Sequence, residues 1–191
     1  MQHASNNHWD EIIKTFSGLS LQDKGKRFAS ILFEVSRAIA DDILLRNDVE
    51  PGLKRMLRAA QGGEGHTQPI VIATIGYMLY LIGQQFSSRQ QGIRDQFIHD
   101  IIEGVRGILT NDFGYSSGDV EKATQEFHDS MLVYSQPSDR LFGGNGASEY
   151  GKRVATAISL GRNAILMTAI SICFASRWVT IRDLPNEIIN I

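Results

Sequence analysis

Two uncharged stretches, Ile70 to Gly83 and Asn163 to Ser176, constrain the fold of this chain more than any other feature of it. Each is 14 residues long and apolar nearly throughout. At 1.5 Å per residue a helix of that length spans roughly 21 Å, short of the ~30 Å hydrocarbon core of a bilayer. They therefore predict core helices, apolar all round, which need other helices to cover them.

The rest of the sequence supplies those covers. Trp9, Ile12, Ile13 and Phe16 fall on one helical face, and Ser17-Gly18 closes that short helix. Ser20 reads as an N-cap with Asp23 in the first turn. A long helix follows, with Phe28, Ile31, Leu32, Val35, Ile39 and Ile43 as its inner stripe. Pro51 opens a short amphipathic piece carrying Leu53, Met56 and Leu57. The apolar helix is expected over Ile70–Phe86, and Ser88 with Gln91 has the spacing of a capping box for the next one. That helix turns Phe97, Ile98, Ile101, Ile102, Val105, Ile108 and Leu109 inward; another carries Val120, Ala123, Phe127, Met131 and Tyr134. Gln136–Ser148 is the longest irregular stretch. One last helix is expected from Glu149 to Arg177 or Arg182, ended by Pro185.

No persistent period-2 run and no internal repeat interrupts this pattern. The reading is an all-α, single-domain helical bundle over 1–191, of about seven helices, with two largely buried central ones at Ile70–Phe86 and Ala164–Ala175. Residues 1–61 could form an N-terminal helical subdomain packed on 67–182. A chain of 191 residues buries roughly 70% of its unfolded surface, so this core needs no staples.

Several function classes fall away. Cys173 is the only cysteine, so neither an intrachain disulfide nor a cysteine zinc cluster can form, and its Ile172–Phe174 setting reads as a buried thiol. The N-terminus lacks a basic stretch and an apolar run, which points to a cytoplasmic protein. A net charge of −2 lacks the basic excess of a duplex-binding domain. Charge is nonetheless uneven: Lys24 to Arg58 holds eight basic residues, and Asp95 to Asp129 holds eight acidic ones against Lys122 and Arg106. Facing apart, these segments would give a basic side, with Lys24, Lys26, Arg27, Lys54, Arg55 and Arg58 as its candidate patch, and an acidic side.

The chemical motifs are few. Gly146 to Lys152 has the spacing of a phosphate-binding loop, but Arg153 replaces the hydroxyl, Glu149 puts an anion in the cradle and no strand precedes it. Asp95, His99 and Glu103 stack at i, i+4, i+8 opposite the Ile98, Ile101 and Val105 stripe, as a solvated helix face does. No metal site or cofactor is expected.

Gly92-Ile93-Arg94-Asp95-Gln96-Phe97-Ile98-His99-Asp100 holds an arginine, a polar residue, three further residues and a histidine. This resembles the R-[N/D/H]-x-x-x-H element of HEPN-type ribonucleases, which are all-helical and usually dimeric. The resemblance implies His99 as general base or acid for 2′-hydroxyl attack, Arg94 as partner of the phosphorane and Asp95 as the orienting residue. Imidazole titrates near neutral pH and guanidinium grips phosphate oxygens, so the chemistry is coherent. Asp100 and Glu103 work against an RNA-facing groove.

Two functional expectations result. One is a non-catalytic helical interaction or self-assembly module that binds a protein partner or itself. The other is a metal-independent ribonuclease using Arg94 and His99. RNA or an anionic membrane surface could meet the basic side.

Overall fold

The computed structural model describes residues 10–45, 67–86, 90–135, 145–158 and 164–191. These form seven helices and no strand. They are α1 (Leu21–Leu44), α2 (Thr67–Gln84), α3 (Gln91–Asn111), α4 (Ser117–Ser135), α5 (Asn145–Ala157), α6 (Ala164–Ile181) and α7 (Leu184–Ile189). None of them is long and apolar enough to cross a membrane.

Local sequence sets several of the boundaries. A helical turn at 10–14 drops Phe16 into the core, and Gly18 takes the left-handed φ of 77° that reverses the chain. Ser20 caps α1, accepting from the Asp23 amide at 3.1 Å and donating to the Asp23 carboxylate at 2.7 Å. The N-cap of α3 is Gln90, which makes no side-chain capping bond; Ser88 lies outside the described residues.

Two central helices organise the bundle, α2 as expected and α1 in the place expected for 164–175. α2 touches α1, α3, α4 and α5, and α1 touches α2, α3, α6 and α7. α2 is buried from Ile70 to Leu79 apart from Ile72, as its unbroken apolar sequence requires. α6 is apolar all round but covered on one side only: it packs on α5 and α1 and leaves Ile172 and Val179 each 56% exposed.

Absent side chains fix which helices come closest. A Cβ on Gly104 of α3 would sit 2.6 Å from the Ala29 Cβ and 2.9 Å from the Lys26 backbone, both on α1. One on Gly25 of α1 would collide with Asp100. Gly76 brings α2 onto Ser130 of α4 in the same way. The first four helices thus form two tight pairs, α1 with α3 and α2 with α4, and the consecutive helices α3 and α4 belong to different pairs.

The chain after α4 departs from its expected course. In place of one helix from Glu149 to Arg182, α5 and α6 fold back on each other. The Gly151 backbone lies against the Met167 carbonyl, so close that a Cβ would stand 2.7 Å from its oxygen. Folded back in this way, α5 and α6 bury one face of each against the other, and the outer face of α6 stays open. Pro185 then stands in the first turn of α7, where a missing N–H does no harm.

Four of the five tyrosines gather where α2, α4 and α5 meet. Tyr77 has the rings of Tyr134 and Tyr150 at 4.9 Å and Phe174 at 4.7 Å, and Tyr80 lies 5.7 Å from Tyr134. Rings at such separations pack without voids and add roughly 0.5–1.5 kcal/mol per pair beyond area burial.

Candidate functional site

Because α3 leans on α1 and α4 leans on α2, the two leave a groove of about 860 Å³ between them. Its floor is α2, through Leu79, Tyr80 and Gly83. One wall is the α3 stripe Asp95, Ile98, His99, Ile102, Glu103 and Arg106, at helical spacing. The other is the α4 stripe Glu121, Thr124, Gln125, His128, Met131 and Leu132.

Gly114, at φ 65°, reverses the chain between the walls, and the Tyr115 amide donates back to the Leu109 carbonyl at 3.0 Å. Near this turn the walls are tied together. Arg106 Nη1 donates to Glu121 at 3.3 Å and to Thr124 Oγ1 at 3.4 Å, and its Nε lies 3.5 Å from Glu103. Seven residues further along each helix, about two turns, stand His99 and His128. The register that places Arg106 against Glu121 therefore sets the two histidines on opposing walls. Both are exposed.

The three residues of the ribonuclease-like element share this groove. Arg94 is not free to meet a phosphate, however: its Nε and Nη2 both donate to Asp95 Oδ1, at 2.8 and 2.7 Å. Asp100, just beyond the element, is 1% exposed and accepts twice from the Gln96 amide at 3.0 Å, so it serves the α1–α3 contact and not the groove. Arg94 and Arg106 face Asp95, Glu103 and Glu121, which leaves the fixed charge of the groove at −1. Among the described residues no three His, Cys, Asp or Glu side chains are placed to hold a metal ion.

His128 is the groove residue to which the sequence reading assigns no role. A signal for it existed. His99 lies 15 residues before Gly114 and His128 lies 14 after it, so a helical hairpin turning at that glycine brings them level.

Three residues of the candidate basic patch are among those described. Lys24 is 7% exposed, whereas Lys26 and Arg27 are exposed and the Arg27 guanidinium rests 5.6 Å above the Phe16 ring. Lys54, Arg55 and Arg58 lie outside the described residues, as do 136–144 of the expected long loop. α1 sets Lys24, Lys26, Arg27 and Arg37 against Asp23, Glu34, Asp41 and Asp42, so it carries no net charge, and it packs directly against α3.

A second concavity, of about 930 Å³, lies between the start of α2, α4 and α5. Its charges are matched in place: Lys122 with Asp119 at 3.8 Å, Lys152 with Glu149 at 3.1 Å and Arg153 with Glu126. Cys173 is buried, as its apolar setting requires.

Compared with known proteins, the chain matches no family model, no curated protein and no solved structure.

Proposed function

We propose that the protein is a non-catalytic helical interaction module whose working surface is the groove between α3 and α4. Its occupant is an amphipathic helix of a partner protein, apolar on one face and lysine- or arginine-bearing along its borders. The observation that carries this reading is the make-up of the groove. Leu79, Ile98, Ile102 and Met131 give it an apolar depth, charged side chains line its rim, and Leu132 on one lip is 65% exposed. Apolar anchors at helical spacing inside a charged rim are what helix-in-groove recognition uses. The carboxylate excess favours a basic occupant over an acidic one.

The test is an NMR titration of the full chain with an 18-residue leucine–lysine amphipathic peptide, and with its leucine–glutamate counterpart. Saturable shifts at Ile98, Ile102, Met131 and Leu132 with the first peptide alone are expected. A Gly83→Leu variant, whose new side chain projects into the groove, loses them, as does Leu132→Lys. Equal response to both peptides, or unchanged binding by both variants, sinks the reading.

A second reading has one observation in its favour, the second histidine facing the first in a groove shared with Arg94. A metal-independent ribonuclease could use such a pair as base and acid. The Arg94–Asp95 pairing and the net −1 charge oppose it. RNA incubated without divalent metal decides: cleavage lost in both His99→Ala and His128→Ala supports the enzyme, and identical background from all three proteins excludes it.

A further inference from the structure

The charges of the groove fall into two kinds. Arg94, Asp95, Glu103, Arg106 and Glu121 supply the fixed charge, two cations against three carboxylates. His99 and His128 belong to the one residue type whose charge ordinarily changes between about pH 5 and 8. One stands on each wall, at the same level, away from the Arg106 tie.

Their surroundings are asymmetric. On α3, His99 has Asp95 one turn before it and Glu103 one turn after, with Arg94 and Arg106 further along. On α4, the groove neighbours of His128 within a turn, Thr124, Gln125, Met131 and Leu132, are uncharged; Asp129 adjoins it, accepting from Gln125 at 2.9 Å, Glu126 lies two residues before it, and Glu121 is two turns away. The α2 floor adds Leu79, Tyr80, Gly83 and Gln84, none of them charged at neutral pH. No fixed cation of α2 or α4 lines the groove among the described residues.

With both imidazoles neutral the groove carries −1; with both protonated it carries +1. The sign inverts at the level where the walls are not bridged, where an occupant would lie between the two rings. We propose that this is a proton gate: the groove holds a lysine-bearing amphipathic helix at neutral and mildly alkaline pH and releases it on acidification. The gate rests on the docking reading and names its regulation. Its physical basis is charge repulsion between two new cations and those of the occupant, inside a concave site where screening by solvent is weaker than on an open face.

The leucine–lysine peptide is the probe, because lysine keeps its charge across this range. Its affinity for the full chain is measured at pH 8.0 and 5.5 in low salt, alongside a His99→Gln/His128→Gln variant whose fold is checked by circular dichroism. Both side chains are exposed, so the variant should fold. The expected result is a loss of roughly tenfold for the native chain on acidification, and less than twofold for the variant. Native affinity that is equal at the two pH values overturns the gate and leaves docking intact. An undiminished pH effect in the variant also overturns it, by placing the titrating group elsewhere. No binding at either pH removes the docking reading and the gate together.

Discussion

The Tyr150 hydroxyl lies 2.9 Å from Thr74 Oγ1 in the interior of the bundle. Thr74 already donates to the Ile70 carbonyl at 2.7 Å, so Tyr150 is the donor and its polar atom is satisfied. Tyr134, equally buried, has a hydroxyl that meets no partner among the described residues. Two tyrosines of one cluster thus differ in a single bond.

Opposite outcomes follow for the same substitution. Tyr150→Phe should lower stability by roughly 1 kcal/mol, the net value of one buried hydrogen bond. Tyr134→Phe should be neutral or stabilising by up to ~1 kcal/mol, because it removes a desolvated hydroxyl that has gained nothing in return. Urea unfolding of both variants measures the pair. A larger loss from Tyr134→Phe would contradict the assignment.

The same cluster should make the protein sensitive to alkali. Burial pushes the Tyr77 hydroxyl up to about 12, and it raises those of Tyr134 and Tyr150 as well. A folded pKa above the unfolded value of 10 means that the native state keeps protons which the unfolded chain has given up. The stabilisation is complete below pH 10 and is lost as pH climbs from there toward the folded values. Each such tyrosine contributes a slope of roughly 1.4 kcal/mol per pH unit in that window. Denaturation midpoints measured from pH 8 to 11.5 should be flat at first and fall steeply past 10. A midpoint that stays flat up to pH 11.5 would refute the buried assignments.

How much of this was legible beforehand depended on range. Ser20, Phe28 and the Ile70 run announced their elements because capping and apolar periodicity are local properties. The α5–α6 reversal was not legible, since an apolar stretch looks the same whether it continues straight or folds onto itself. What decides is a tertiary contact, Gly151 against Met167. The groove failed to show for a related reason. Sequence order makes α3 and α4 neighbours, but Gly104 and Gly76 draw them toward different partners, and no periodicity records that competition. Asp95 and His99 read as an ordinary wet helix face, and both are exposed; what makes that face the wall of a groove is α4 standing across from it, which the sequence does not record.

Arg177 and Asp42 tie α6 to α1 by a two-pronged ion pair, Nε to Oδ2 at 2.7 Å and Nη2 to Oδ1 at 3.1 Å. The hydrogen bonds to Asp42 hold the Arg177 guanidinium above its usual pKa, yet both side chains are well exposed to solvent. Solvent and salt should therefore limit the contribution to about 0.5–1 kcal/mol. Arg177→Gln is expected to show that deficit at low ionic strength and almost none in 1 M NaCl, where the Debye length is ~3 Å. A deficit that persists at high salt would mean that Arg177 acts through packing instead.

Gly104 and Gly107 stand three residues apart on α3 and should answer alanine in opposite senses. Both lose helix propensity relative to alanine, by roughly 0.5–1 kcal/mol. At Gly107 a Cβ would meet nothing within 4 Å, so Gly107→Ala should be stabilising by that amount. At Gly104 the new methyl would stand 2.6 Å from Ala29 Cβ and 2.9 Å from both the Lys26 Cα and its carbonyl oxygen. Backbone atoms cannot swing aside as a flexible side chain can, so α3 must back away from α1. Overpacking of this kind typically costs about 1–3 kcal/mol, which outweighs the propensity gain. The displacement also has a direction. Moving α3 off α1 pushes it toward α4 and narrows the groove, so Gly104→Ala should weaken the leucine–lysine peptide as well as the fold. Gly107→Ala should leave peptide affinity within twofold, because it adds its methyl away from every neighbour. Thermal unfolding of the two variants, read beside their peptide titrations, separates these effects. A stabilised Gly104→Ala protein would show that the α1–α3 approach is looser than the positions of Gly104 and Ala29 require.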